Sequence, residues 1–166
     1  MEKDGFVRIG IDDFLQHVTG PITKVKMRNP GEKIQKGEPF LSLIQHGKQL
    51  NIFSPISGVI KENNTKLNTN SSVLNSSPYS EGWVYVIESG NWLKEINAFF
   101  MDVTYKTWLK KEFSRLKDFL SSITNGEINN SQLVMQDGGE LKDKLMELLG
   151  PELWEEFQIR FINISK

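Results

Sequence analysis

Few residues in this chain have the types and the spacing that chemistry requires. The two histidines, His17 and His46, are too few to build a metal site alone, and the absence of cysteine excludes disulfides, thiolate catalysis and zinc–thiolate sites. We interpret His17 as a surface or cap residue of a short helix. His46 is either a polar turn residue, which we favour, or part of a former binding face. No Ser-His-Asp grouping, paired-carboxylate motif, glycine-rich phosphate loop or metal signature occurs. The sequence therefore predicts a protein that is not an enzyme and binds no metal.

The charge balance excludes two further classes of partner. Twenty Lys and Arg residues against 21 Asp and Glu residues give a net charge of -1, so no global field attracts nucleic acid or an anionic membrane. The N-terminal residues MEKDGFVRIG lack the apolar core of a signal peptide, and no apolar run approaches membrane-spanning length. We expect a cytoplasmic protein that binds neither nucleic acid nor membrane.

A glycine turn and a lysine stand together between two apolar runs. Apolar residues are concentrated in two short runs, Phe40–Ile44 and Leu50–Phe53, as is typical of β-strands. The residues between these runs are QHGKQ. Gly47 is suited to the turn, and Lys48 follows it directly. The sequence therefore predicts a β-hairpin with Gly47 and Lys48 at its tip.

The elements around this hairpin show a repeated three-residue spacing. In each copy the first and third members are Gly or Asn, which tolerate a positive φ, and the second and fourth are apolar. The two sets are Gly31, Ile34, Gly37, Phe40 and Asn64, Leu67, Asn70, Val73. Two strand-loop-strand halves joined through a hairpin predict a quasi-symmetric, flattened antiparallel barrel over residues 6–90. A generic antiparallel sandwich with a coincidental repeat is the alternative.

This architecture is that of lipoyl and biotinyl carrier domains, and three segments resemble the H-protein family of the glycine cleavage system. Gly10–Phe14 resembles the family's short N-terminal helix, with Asp12 as its N-cap. Ser54-Pro55-Ile56-Ser57-Gly58 is similar to the S-P-x-S-G segment that follows the lipoyl hairpin. Residues 64–83 (NTKLNTNSSVLNSSPYSEGW) match N-x-x-L-x-x-N followed by L-V-N-x-x-P-Y-x-x-G-W. The resemblance implies an α+β fold, mainly β with helices, of the lipoyl/biotinyl barrel-sandwich hybrid type, and a strand at Val84–Ile87.

The family's chemistry, as this resemblance implies it, depends on a hairpin lysine that carries lipoate through an amide bond. That lysine lies in a segment similar to E-S-V-K-A, seven residues before the Ser of S-P-x-S-G, and counting back from Ser54 gives Gly47. The acidic residue expected three places earlier is Ile44. Lys48 is one residue late, and it is either a displaced attachment site or a solvated turn lysine. We favour the second interpretation and expect no lipoate unless Lys48 is modified.

A helical appendage follows the carrier-like region. Apolar residues recur every three or four positions between Asp102 and Ile123, as on one face of an amphipathic helix. We expect a stripe on this helix to be buried in the chain or in a homodimer, because its exposure would leave an unusually large apolar patch. The stripe consists of Leu109, Phe113, Leu116 and Leu120.

Two shorter helices are predicted further along the appendage. Leu141, Leu145 and Leu148 mark the first, and Pro151 suits the first turn of the second. Leu153, Trp154, Phe157 and Phe161 should form the buried side of that last helix. We assign residues 1–100 to an H-protein-like lipoyl domain and 101–166 to a helical extension that packs on it or on a partner.

Two functions remain open at this point. In the first, the fold is kept, the lipoyl lysine is lost, and the surface serves as a non-catalytic module that binds a protein partner. In the second, the protein shuttles an aminomethyl or other thiol-bound group on lipoyl-Lys48. The family resemblance then implies glycine decarboxylase, aminomethyltransferase and dihydrolipoyl dehydrogenase as partners. We favour the binding module, with a homodimer through the C-terminal helices as a further expectation.

Overall fold

The computed structural model describes residues 5–96, 103–124 and 149–163. The chain divides into two compact units, Met1–Ile96 together with Asp143–Lys166, and Asn97–Lys142. The domain boundary that we place at residue 100 stays a prediction. The predicted helix around Leu141–Leu148 lies outside the described residues.

Seven strands form two antiparallel sheets in the first unit. One sheet has the order β1-β7-β6-β3 and the other the order β2-β4-β5. The strands are β1 Phe6–Gly10, β2 Lys24–Met27, β3 Lys33–Ile34, β4 Pro39–Gln45, β5 Lys48–Phe53, β6 Gly58–Asn63 and β7 Trp83–Glu88. This arrangement confirms the predicted antiparallel α+β barrel-sandwich and the strand predicted at Val84–Ile87.

Six α-helices and one π-helix complete the secondary structure of the described residues. In chain order the helices are α1 Asp13–Thr19, α2 Lys66–Thr69, α3 Val73–Ser76, α4 Trp92–Ile96, α5 Val103–Thr124 and α6 Pro151–Phe157, and a π-helix at Gln158–Ile162 follows α6. Asp12 is the N-cap of α1, as predicted, and its side chain accepts a hydrogen bond of 3.0 Å from the Leu15 backbone N–H. Burial raises the pKa of the Asp12 carboxyl. None of the described helices combines the length and apolar character needed to cross a bilayer.

The core of the first unit lies between the two sheets. Leu43 and Leu50 face inward from the second sheet, and Ile60 and Ile87 from the first. Tyr85 is fully buried among them, and its hydroxyl accepts a hydrogen bond from the Arg28 N–H and donates one to the Phe40 carbonyl, both at 2.7 Å. This hydroxyl therefore ties the end of β2 and the start of β4 to β7.

The Tyr85 hydroxyl should make stability fall at alkaline pH. Burial raises the pKa of Tyr85 to about 12, from an ordinary value of 10.0. Between these values the unfolded chain loses the phenolic proton while the folded chain keeps it, so stability is lost as the pH rises through this window. The loss should reach about 3 kcal/mol, since each of the two pKa units corresponds to about 1.4 kcal/mol.

Urea denaturation of the wild type and of Tyr85→Phe, from about pH 9 to about pH 12, measures this effect. The difference in unfolding free energy between the two proteins should shrink across the window. A difference that stays constant with pH would contradict the buried hydroxyl.

The two predicted loops differ in backbone conformation. Gly31 and Gly37 have φ of 91° and 82°, but His46 is the only non-glycine residue with a positive φ in the described part of the chain. Asn70 has φ of −143°, and the second segment forms the short helices α2 and α3. Asn64 and Asn70 therefore do not use the positive φ that asparagine tolerates. The pseudo-twofold relation between the loops stays a prediction.

The physical reason lies in the side chain of Asn64. Its buried carboxamide donates hydrogen bonds of 2.8 Å to the carbonyls of Glu81 and Trp83. Its backbone N–H donates to the Val84 carbonyl at 2.9 Å. The second loop is thus held by a side chain where the first loop uses glycine conformation. The apolar members of the two repeated spacings lie nearly as predicted. Ile34, Phe40 and Leu67 are buried, and Leu74 is buried in place of Val73.

Helix α5 in the second unit confirms the amphipathic helix and corrects its buried face. Leu116 and Leu120 are buried, as predicted, but Leu109 is only half-buried and Phe113 is 37% exposed. The buried positions also include Glu112 and Phe119, so the face is rotated away from Phe113. Glu112 is a charged member of this face, and Arg115 donates to both of its carboxylate oxygens at 2.7 and 2.8 Å.

Candidate functional site

The predicted hairpin is present, and a tight turn joins its paired strands β4 and β5. Gln45 pairs with Lys48, so only His46 and Gly47 form the turn. Both have positive φ, at 46° and 83°, which is the combination that a two-residue hairpin matching strand twist requires. Gly47 and His46 are exposed, and a Cβ at Gly47 would meet no heavy atom within 4 Å. Gly47 therefore occupies the apex of the hairpin, and the space around a side chain at this position is open.

Gln45 anchors the base of this hairpin. It is fully buried, and its Nε2 donates hydrogen bonds to the carbonyls of Thr19 (2.8 Å) and Pro21 (3.0 Å). Thr19 ends α1 and Pro21 lies in the loop before β2, so the turn is fixed to the body of the fold. The apex is thus held in place.

Lys48 is the first residue of β5, and its side chain is half-buried. Its Nζ donates a hydrogen bond of 3.0 Å to the Leu149 carbonyl. The same Nζ lies 5.0 Å from the ring centroid of Trp154, which is within the range of a cation–π interaction. The amine that could carry an acyl group is therefore in contact with residues 149–163, which we call the C-terminal segment.

The C-terminal segment also covers the edge of β5. Gln158 accepts a hydrogen bond from the Asn51 N–H at 2.6 Å and donates one to the Asn51 carbonyl at 2.9 Å. β5 is the outer strand of its sheet, and these are the two backbone groups that a further strand would use. Trp154 and Phe157 are each 1% exposed. Both α6 and the π-helix contact β5.

Two of the four aromatic and apolar residues predicted on the last helix are fully buried. Trp154 and Phe157 are in the core, whereas Leu153 and Phe161 are half-buried, with the Phe161 ring stacked on Phe157 at 4.9 Å. Pro151 begins the helix, as predicted. The contacts of Gln158 and Leu149 with the hairpin were not predicted. The sequence signal for these contacts is weak, since a glutamine in an amphipathic helix is normally expected at the surface.

The segment after the hairpin is positioned by α4. Ser57 donates from its N–H and its hydroxyl to the two carboxylate oxygens of Glu95, both at 2.9 Å. Gly58 then pairs with Ile34 and passes close to β7, where a Cβ would lie 2.6 Å from Cγ2 of Ile87. The final glycine of S-P-I-S-G is therefore required by close backbone packing.

The Pro78-Tyr79 segment lies beside α1. Tyr79 is 74% exposed, and its hydroxyl donates to a carboxylate oxygen of Asp13 at 2.7 Å. Nearby, a hydrogen bond donated by Lys66 and the positive charge of Lys66 lower the pKa of the exposed Glu81 carboxyl. These contacts hold the loop on the outside of the fold.

The remaining candidate residues are not brought together. His17 is exposed in the last turn of α1, as predicted, and His46 lies in the hairpin turn. Within residues 5–96, 103–124 and 149–163 no group of three or more His, Cys, Asp or Glu side chains is placed to hold a metal ion.

Comparison with known proteins agrees with this geometry. The family model described as Glycine cleavage H-protein matches residues 1–112. The glycine cleavage system H protein of Coprothermobacter proteolyticus is 38% identical over 86 residues, which are 52% of this chain and 68% of that protein. The H protein of a Geobacillus species is 35% identical over 105 residues, 63% of this chain and 82% of that protein.

A solved structure shows the same fold. The glycine cleavage system H protein from Mycobacterium marinum superposes with a TM-score of 0.51 at 27% identity, over 54% of this chain and 71% of that one. Two antiparallel sheets, one of which carries the anchored hairpin, thus define a carrier-type barrel-sandwich hybrid. The chain belongs to the glycine cleavage H-protein family. Because H-proteins are carriers rather than catalysts, this membership confirms that the chain is not itself an enzyme.

Proposed function

We propose that this member of the H-protein family is not lipoylated and acts as a non-catalytic protein-binding module. The observation that carries the proposal is the placement of Lys48. Its Nζ donates to the Leu149 carbonyl and lies over Trp154, so it is not held out at the apex of the hairpin. Acylation needs an amine presented to the ligase, and the apex residue, Gly47, has no side chain.

The tight turn adds to this argument. Because β5 begins at Lys48, the pairing of Gln45 with Lys48 sets the direction of the lysine side chain. A shift of one residue along a strand turns a side chain to the opposite face. Ile44 stands where the family pattern has an acidic residue, so a recognition element for the modifying enzyme is also missing. The alternative, which family membership supports, is a carrier protein that shuttles an aminomethyl or other thiol-bound group on lipoyl-Lys48.

Reconstitution of glycine cleavage tests this function. Glycine decarboxylase, aminomethyltransferase and dihydrolipoyl dehydrogenase are combined with either a bacterial H protein or this chain, both first incubated with lipoate and a lipoate ligase. We expect glycine-dependent release of CO2 with the bacterial H protein and only the background rate with this chain. Glycine-dependent CO2 release that is present with this chain and lost in Lys48→Arg would contradict the binding module and support the carrier function.

The partners of the module are proposed on the same basis. The family works with glycine-cleavage enzymes, so a protein of that type is the first candidate. A homodimer through the C-terminal helices and a cytoplasmic location are further proposals. Light scattering of the purified chain tests the first of these.

A further inference from the structure

The sheet that carries the hairpin has one face in the core and one face toward solvent. Val25, Leu43 and Leu50 form a buried row across its three strands, so the alternate residues of these strands lie on the opposite face. The two rows on that face, in the strand order β2, β4, β5, are Lys24, Ile44, Gln49 and Lys26, Ser42, Asn51. We call these six residues the outer face of the hairpin sheet.

The outer face carries positive charge without compensation. The strands β2, β4 and β5 contain no Asp or Glu, and Lys24 and Lys26 are both exposed. Neither lysine forms an ion pair with a residue of the described chain, whereas Lys61 of the other sheet pairs with Glu88 at 2.6 Å. The face therefore differs in charge from the chain as a whole, whose net charge is -1.

The neutral side chains of the face are held with hydrogen-bond donors available. The Asn51 Oδ1 atom accepts hydrogen bonds from Ser42 Oγ and from Gln49 Nε2, both at 2.8 Å. This carboxamide oxygen is thus used within the face, while the Asn51 Nδ2 group donates to no residue of the described chain. Ammonium and amide N–H groups are complementary to carboxylates, which in their ionised form only accept hydrogen bonds.

The spacing of the two lysines indicates the form of the ligand. Lys24 and Lys26 are two residues apart on one strand, so their Cα atoms lie about 7 Å apart. Alternate side chains of an extended peptide have the same spacing, so carboxylates at its positions i and i+2 match the two ammonium groups. Two lysines are few for nucleic acid, where about six to ten phosphates are contacted, and few for an anionic bilayer, where basic clusters hold about four to eight residues. A protein segment is therefore the class of ligand that the face favours.

We propose that the outer face of the hairpin sheet is the docking site for an extended acidic segment of a partner protein, with carboxylates at alternate positions. Two of these carboxylates pair with Lys24 and Lys26, and the Asn51 amide donates to an oxygen of the same segment. The inference rests on the proposed binding function, and it names the surface and the chemistry of the partner.

A synthetic peptide in which threonine and glutamate alternate is the probe for this site. It is titrated into the 15N-labelled full chain at low salt, and amide chemical shifts are followed by NMR. We expect saturable shifts concentrated in β2, β4 and β5, and an affinity that falls as salt screens the exposed charges. The same peptide with glutamine in place of glutamate should produce no saturable shifts.

Variants of the two lysines locate the binding. The chain carrying Lys24→Glu and Lys26→Glu should bind the acidic peptide at least about tenfold more weakly, because two attractive contacts become repulsive. Lys24→Gln with Lys26→Gln should fall between this variant and the wild type. Lys33→Glu changes an exposed lysine of β3 in the other sheet and should leave the affinity within about twofold. A dispersed amide spectrum like that of the wild type shows that each variant is folded.

Two further results would overturn the proposal. The first is an acidic peptide that gives no saturable shifts at low salt, or one that binds the Lys24→Glu, Lys26→Glu variant as tightly as the wild type. The second is tighter binding of a short oligothymidylate or of phosphatidylserine vesicles than of the peptide, lost in the same variant, which would assign the face to a phosphate-bearing ligand. None of these readouts depends on lipoylation, so they fail independently of the reconstitution test.

Discussion

Gly58→Ala should abolish stable folding of the carrier domain. A Cβ at Gly58 would lie 2.6 Å from Cγ2 of Ile87 and closer still to the carbonyl oxygen of Glu88, whereas ordinary contacts begin near 3.4 Å. The carbonyl belongs to the backbone of β7, so it can move only if the central β6–β7 pairing shifts. Such overpacking costs about 3 kcal/mol or more, a large part of the stability of a domain this size.

Gly90→Ala is the matched control for this substitution. A Cβ at Gly90 meets no heavy atom within 4 Å, so the free energy of unfolding should change by less than about 0.5 kcal/mol. Urea denaturation followed by circular dichroism measures both variants. A Gly58→Ala protein with wild-type stability would contradict the close passage of β6 against β7.

Gly47→Lys should turn lipoylation on. The Cβ at position 47 points into open space at the apex of an anchored hairpin, so a lysine there can extend toward a ligase. The positive φ of 83° costs a non-glycine residue about 1 kcal/mol, which a folded domain tolerates. Gly47→Ala carries the same backbone strain without the amine and serves as the control. We expect the lipoyl mass increment on residue 47 in Gly47→Lys and no increment in Gly47→Ala.

The location of the modification decides what this result means. Lipoate on residue 47 shows that the scaffold presents the family position and that the chain lacks only the lysine. Lipoate on Lys48 in this variant would instead show that the C-terminal segment does not shield that amine. An unmodified Gly47→Lys protein with a native spectrum would contradict the assignment of Gly47 to the apex position.

Much of the fold follows from local sequence, because the responsible signals are short-range. The hairpin is set by Gly47 between two apolar runs. Asp12 caps α1 through a hydrogen bond from Leu15, which is only three residues further along the chain. The strands and the buried positions Ile34, Phe40 and Leu67 also follow from spacing. Asn64 shows the limit of this approach, because an asparagine that tolerates a positive φ can equally hold a loop with its carboxamide.

The site could be predicted only in part, because its decisive contacts join distant residues. The hairpin and its lysine follow from the sequence, but the bond from Lys48 to Leu149 spans 101 residues and that from Asn51 to Gln158 spans 107. Helical periodicity places Trp154 and Phe157 on a buried side without saying what they bury against. The rotation of the buried face of α5 toward Glu112 was missed for a related reason, since an ion pair with Arg115 lets a charged residue lie where an apolar one is expected.

The lipoylation state of the wild-type chain tests the central claim most directly. The purified protein is incubated with lipoate, ATP and a lipoate ligase beside a bacterial H protein, and intact masses are compared before peptide mapping. The proposal predicts full modification of the bacterial H protein and an unchanged mass for this chain, because Gly47 offers no amine and Lys48 contacts Leu149 and Trp154. A lipoyl increment that maps to Lys48 and disappears in Lys48→Arg would contradict it.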